Sequence, residues 1–201
     1  MNSTARKSSN TRIDEALDRH LSRRSREEIR FRVGRSSLGH VLVASSQKGV
    51  VSILVGQDPD QLVRNLRREF LKSQILHSNQ NDRERVARVL EFIKEPKAFL
   101  DIPLDLRGTA FQQKVWQSVR EIPLGQTTTY ADVARKIGAP KAVRAVGRAC
   151  SANKLAIAVP CHRVLRSNGS LPEGEHWGLR RRRILLKRES GAAAARLAGE
   201  H

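Results

Sequence analysis

The sequence predicts an α+β protein, with a small strand-and-helix N-terminal part followed by a mostly helical C-terminal part. Three observations predict it. Three runs rich in β-branched residues lie close together before residue 56, and two stretches with apolar residues at helical spacing follow them. From Thr109 onward, apolar residues recur at helical intervals and a Gly/Pro turn separates two short helical stretches.

Taken in order, residues 1–28 are rich in Ser, Arg, Asn and acids with few apolar anchors, and read as a flexible or partly helical basic arm. Strand-like patterning starts at Ile29 with Phe31-Arg32-Val33, then continues through His40–Ala44 and Val50–Val55. Ser45–Gly49 between the last two is a hairpin signal. Asp58-Pro59-Asp60 opens a helix that places Leu62, Val63, Leu66, Phe70 and Leu71 on one side, and Val86, Val89, Leu90 and Ile93 mark a second. Pro103–Gly108 reads as a linking strand and turn. Thr109 caps the next helix, whose apolar face is Phe111, Val115, Val119 and Ile122; Trp116 reads as core. The predicted organisation is an arm at 1–28, an α+β unit at 29–103, a helical unit at 104–190 and a flexible tail at 191–201.

Charge points to the partner. The chain has 201 residues, is 39% hydrophobic and carries a formal net charge of +18. That excess exceeds what solubility needs and favours a polyanion, nucleic acid ahead of a ribosomal or membrane surface. It is also concentrated: residues 140–190 hold twelve Lys or Arg against three acids. Two cysteines cannot form a disulfide framework, no Cys-x-x-Cys spacing suggests zinc, and the six histidines are scattered. A reducing cytoplasm is the expected location. No secretory signal is visible, and the longest apolar run, Val50–Val55, is too short to span a bilayer.

Two local motifs carry chemistry. Thr127–Ile137, Gly138-Ala139-Pro140 and Lys141–Cys150 form two short helices about a turn, shaped like a helix-turn-helix; by itself this is either plain packing or a DNA contact. Lys141, Arg144 and Arg148 make a basic stripe, while Ala142, Ala145, Gly147 and Ala149 are small enough for close backbone approach. The second motif, Pro160-Cys161-His162-Arg163, sets a cysteine beside a histidine inside an apolar run. A thiol is a nucleophile as its thiolate, which a neighbouring imidazole favours. A buried structural cysteine is the bland reading.

The order and spacing of the motifs run from Arg107–Trp116 through Ile122–Thr127, Tyr130, Pro140–Gly147 and Ala152-Asn153-Lys154 to Pro160–Val164. In these the chain resembles the O6-alkylguanine-DNA alkyltransferases, or methylated-DNA–protein-cysteine methyltransferases. It looks most like the C-terminal half of the bacterial adaptive-response protein, over about residues 29–190. The resemblance implies an RNase H-like N-terminal lobe and a mostly helical C-terminal lobe with a helix-turn-helix. It implies DNA repair by flipping O6-alkylguanine, or O4-alkylthymine, out of double-stranded DNA from the minor groove. The alkyl group then passes once and irreversibly to Cys161. His162 is implied as the general base through a water, Glu189 as the carboxylate that polarises it, Asn153 as the residue ordering the turn and Tyr130 as a donor towards the guanine. Arg144 is implied as the intercalating finger, with Lys141, Arg148, Ala142, Ala145 and Gly147 on the DNA face. No cofactor or metal, no membrane association and a monomer are expected. With two cysteines, the chain lacks the means for the four-cysteine zinc domain of the adaptive-response protein, so its transcriptional activation is not expected.

One segment departs from the family pattern. The loop Ser170–Trp177 is one residue longer than usual, lacks a tyrosine and adds Glu173 and Glu175, which as carboxylates accept rather than donate. Ser170 and His176 are the substitute donors, and slower transfer or a changed alkyl preference is the expectation. The alternative function is a lesion-binding protein that flags damage without transfer. A sequence-reading helix-turn-helix regulator is disfavoured, because the second helix offers mainly small residues and Arg or Lys.

Overall fold

The computed structural model describes residues 26–78, 80–172 and 178–199, and its architecture is α+β. Strands β1 (Glu28–Ser36), β2 (Gly39–Ser45) and β3 (Val50–Gly56) form an antiparallel meander, and β4 (Gln74–His77) returns parallel to β1. The order is β3-β2-β1-β4. A parallel return needs a crossover, which helix α1 (Pro59–Glu69) supplies. Strand alternation splits the sheet's side chains between two cores: Val41 and Val43 face one, Leu42 and Ala44 the other.

Helix α1 starts where Asp58 accepts a hydrogen bond from Asp60 N, with Pro59 in its first turn. It buries Leu62 and Leu66, with Phe70 beyond its end, against Ile29, Phe31, Leu42 and Val51. Leu71, expected on the same side, is 80% exposed, because the helix stops at Glu69 and Phe70 caps it. Helix α2 (Gln80–Lys94) covers the opposite face. A Cβ on Gly34 would meet Leu90 Cδ1 at 2.8 Å, so the glycine is what lets α2 lie close on β1.

The C-terminal half is mostly helical: α3 (Ala110–Arg120), β5 (Thr128–Thr129), α4 (Tyr130–Lys136), α5 (Val143–Ser151), a 3-10 turn at Cys161–Arg163, β6 (Val164–Leu165) and α6 (Gly178–Gly199). Thr109 and Gln112 close a capping box on α3, and Trp116 is core, its Nε1 donating to Ala149 O at 2.9 Å. Two boundaries are corrected. Lys141 and Ala142, expected inside the second short helix, precede it, because Ala142 N closes a turn onto Ala139 O. Helix α6 runs through Gly199, so residues expected as a flexible tail from 191 are helical to that point, and Glu189 sits in mid-helix.

The halves meet along the outer edge of β3. Val50 N donates to Pro103 O and Asp105 N to Val50 O, both at 2.8 Å; Ile53 N donates to Lys154 O at 2.8 Å and Ala156 N to Ile53 O at 3.3 Å. The edge is thereby paired rather than left open. One apolar core continues from Val41 and Ile53 through Val115 and Trp116 to Leu185. Among the described residues no helix is long and apolar enough to cross a membrane.

Candidate active site and nucleic-acid face

The site is built around the 3-10 turn. Cys161 N donates to Val159 O at 2.8 Å and Arg163 N to Pro160 O at 2.9 Å, which fixes the backbone under the sulfur. Asn153, just beyond α5, holds the approach to that turn. Its Nδ2 donates to Val159 O at 2.9 Å and to Cys161 Sγ at 3.3 Å, and its Oδ1 accepts from Leu155 N at 2.8 Å. Between them, Ile157 adopts φ 75°, a backbone conformation unusual for a β-branched residue. Cys161 itself is partly exposed.

Next to Cys161 in the chain begins a charged cluster with almost no contact with solvent: His162, Arg163 and Glu189 are all buried. His162 Nε2 lies 2.8 Å from Glu189 Oε1. Arg163 donates from Nε to Oε2 at 2.8 Å and from Nη2 to Oε1 at 3.0 Å, and from Nη1 to Ile122 O at 2.6 Å. Burial by itself raises the Glu189 pKa, but the hydrogen bonds and charges of His162 and Arg163 hold it below the ordinary 4.5. An ionised carboxylate only accepts, so Nε2 of His162 is the donor in this bond. Gly125 (φ 76°) completes the cradle: a Cβ there would meet Ala193 Cβ at 2.7 Å, so only glycine lets the 122–126 turn lie on α6 beside Glu189.

Tyr130 opens α4, where Thr129 and Asp132 form a capping box. Parallel pairing of β5 with β6, Thr128 with Val164 and Thr129 with Leu165, ties it to the cysteine turn. Burial, together with Cys150 and Cys161, pushes its phenol up to about 12, against the opposing pull of Arg182 and Arg166. The hydroxyl therefore remains a donor across the neutral range.

The expected DNA-facing residues divide by exposure. Lys141, Arg144 and Arg148 are exposed, together with Val143, while Ala142, Ala145 and Gly147 are half-buried. A Cβ at Gly147 would meet nothing within 4 Å. Not all the positive charge of 140–190 is surface charge. Arg163 is buried, Arg181 Nε donates to Leu38 O at 2.7 Å, Arg188 Nη1 to Ile93 O at 2.8 Å and Arg182 Nη1 to Pro172 O at 2.7 Å. In the altered loop, Ser170 Oγ donates to Asn168 Oδ1 at 2.7 Å; Glu173, Glu175 and His176 lie outside the described residues. Among the described residues no three His, Cys, Asp or Glu side chains group as metal ligands.

Comparison with known proteins decides the family. The profile of the 6-O-methylguanine DNA methyltransferase DNA-binding domain matches residues 110–191. A methylated-DNA–protein-cysteine methyltransferase of Methanosarcina acetivorans is 39% identical, over 79% of this chain and 97% of that protein. The chain belongs to the methylated-DNA–protein-cysteine methyltransferase family. The bifunctional transcriptional activator/DNA repair enzyme Ada of Escherichia coli is 44% identical over 81% of this chain, which spans only 46% of that protein. A crystal structure of Mycobacterium tuberculosis O6-methylguanine methyltransferase superposes with a TM-score of 0.70 at 31% identity, covering 86% of this chain and 99% of that one. That of the Mycobacterium tuberculosis OGT in complex with DNA gives 0.67 at 30%, covering 82% and 94%. Within this methyltransferase family member, the segment matched by the profile contains every expected site residue from Tyr130 to Glu189.

Arg163 was not among those expected residues, although a lone cation inside the run Val159–Leu165 is a readable sign of a buried ion pair.

Proposed function

We propose that this chain is a single-use DNA repair alkyltransferase. It extrudes O6-alkylguanine, and O4-alkylthymine, from double-stranded DNA and moves the alkyl group to Cys161. One observation carries the reading: a partly exposed sulfur held by Asn153, with a buried His162–Glu189 pair beginning at the next residue. His162 Nδ1 takes the thiol proton through a water, Glu189 stabilises the imidazolium, and Arg163 keeps Glu189 ionised. The Cys161 sulfur attacks the alkyl carbon, the S–C bond forms and the C–O6 bond breaks. The electron pair goes to the purine, towards which Tyr130 donates. The thioether is too poor a leaving group for a second turnover.

On this reading α4 and α5 act as a helix-turn-helix entering the minor groove. Lys141 and Arg148 bind phosphates, Ala142, Ala145 and Gly147 permit close approach, and Arg144 fills the gap left by the flipped base. Residues 29–103 form an RNase H-like lobe, consistent with the strand order described above, and 104–190 the alkyl-acceptor unit. We place the protein in the cytoplasm as a monomer. Intact-mass measurement after incubation with an O6-methylguanine duplex tests the function. A gain of one methylene on the Cys161 peptide, absent in C161S, is expected. Tight binding of the lesion with no mass gain would establish the flagging role instead.

A further inference from the structure

We propose that Lys154 is a positioning residue for the acceptor: gripped by Glu69 and Phe70 of the N-terminal half, it holds Asn153 against the Cys161 sulfur. Lys154 stands between Asn153, whose Nδ2 donates to Cys161 Sγ at 3.3 Å, and Leu155, whose N–H the Asn153 side chain accepts. Asn153 and Lys154 lie beyond α5, outside every described helix and strand, so no ladder of their own fixes them. The N-terminal half holds Lys154 at both ends instead. Its carbonyl accepts from Ile53 N at 2.8 Å and from Ser52 Oγ at 3.4 Å. Its ammonium lies 2.9 Å from Oε1 of Glu69, the last residue of α1, and 5.3 Å from the centroid of the Phe70 ring. A cation over an aromatic face is attracted to it, so carboxylate and ring act together on one nitrogen.

An ordinary surface ion pair contributes little to stability. Three features give this one a different task. The anchor is fixed: the Glu69 side chain is only 16% exposed, and Phe70 is packed into the core under α1 with Leu62 and Leu66. The stretch it holds is not wedged in place, because a cavity of about 240 Å³ borders Ile53, Glu69, Ala152, Asn153, Lys154 and Ala156. Close packing therefore does not set its position on that side, and polar contacts do. The route to the sulfur is also short, since Lys154 adjoins in sequence the residue that touches Sγ. Without its anchor the 153–154 peptide gains freedom and the Nδ2 donor drifts. A donor aimed at a reacting atom stabilises the charge that develops there. A displacement of roughly 1 Å costs up to about 10²-fold in rate. Ile53 and Ser52 keep their hold on the carbonyl, so the side-chain anchor accounts for part of that.

The inference rests on the proposed function only in calling Cys161 the acceptor. The full chain is compared with its K154M, K154R, E69Q and K154M/E69Q variants. Three quantities are read: single-turnover transfer from an O6-methylguanine duplex, affinity for that duplex, and alkylation of Cys161 by iodoacetamide, followed by peptide mass. K154M and E69Q should each slow transfer by about 10-fold at saturating protein and slow iodoacetamide alkylation in parallel, with duplex affinity retained. The double variant should be no slower than either single one, since both remove the same anchor. K154R, which keeps the charge and the ring contact, should transfer at the wild-type rate. The two single substitutions change charge in opposite directions. A phosphate contact by Lys154 would instead weaken binding in K154M and leave it unchanged or tighter in E69Q. That pattern, a wild-type rate in E69Q, or an equal loss of rate in K154R and K154M overturns the proposal. If the wild-type chain transfers no alkyl group the proposed function fails, while the iodoacetamide rates still decide the role of Lys154.

Discussion

Glu189 is completely enclosed, and a carboxylate in that position destabilises the fold unless its charge is matched; His162 and Arg163 match it. Because its folded pKa lies below the ordinary 4.5, the folded state holds this proton more weakly than the unfolded chain does. The resulting stabilisation is complete above about pH 4.5 and disappears as pH falls through the lower, folded value. E189Q should therefore be less stable than wild type near neutrality by about 3–5 kcal/mol, since it strands the Arg163 charge. Denaturant titrations at stepped pH should show that gap closing on acidification; a constant gap contradicts the pairing. Tyr130 provides a second test at this scale. Its phenol is kept protonated, so on the proposed function Y130F removes one donor towards the leaving purine. Single-turnover transfer should fall about 10²–10³-fold while duplex affinity is retained, measured by quench-flow and by fluorescence anisotropy.

Helix α5 and the turn before it present Lys141, Arg144 and Arg148 to solvent, whereas Arg181, Arg182 and Arg188 of α6 hold carbonyl groups. The DNA affinity of R148A should accordingly drop evenly across sequences, and the slope of log K against log salt should shrink by about 1. An unchanged slope would remove Arg148 from the phosphate contacts. Elements were legible in the sequence where one face of a local pattern is apolar: β1 to β3, α1, α2 and α3 follow from alternation or helical spacing. Strand β4 escaped, since four residues with Ile75 and Leu76 adjacent show no alternation and its pairing with β1 is remote. The end of α6 escaped because Gly191–Ala195 has no apolar stripe, although alanine is a strong helix former. The cysteine turn was legible from a four-residue motif. The grip of Arg163 on Glu189 was not, because nothing local connects a turn to a helix so far along the chain.

At the scale of the molecule, the sulfur's position depends on a strand about a hundred residues upstream. Ile53 bonds both Lys154 and Ala156, and the core beneath runs unbroken from the sheet to α6. A fragment beginning at residue 104 retains Cys161, His162 and Glu189 but loses that template. Its transfer rate should fall by about 10²-fold, the penalty for displacing a reacting group by roughly 1 Å. Supplying residues 26–103 as a separate chain should recover part of it, as measured in the same single-turnover assay. The zipper along β3 also limits recombination. Hybrids that exchange one half of this chain for that of a relative must transplant the 50–53 edge and the 153–157 segment as a matched set, or the acceptor will be presented on an ill-fitting backbone.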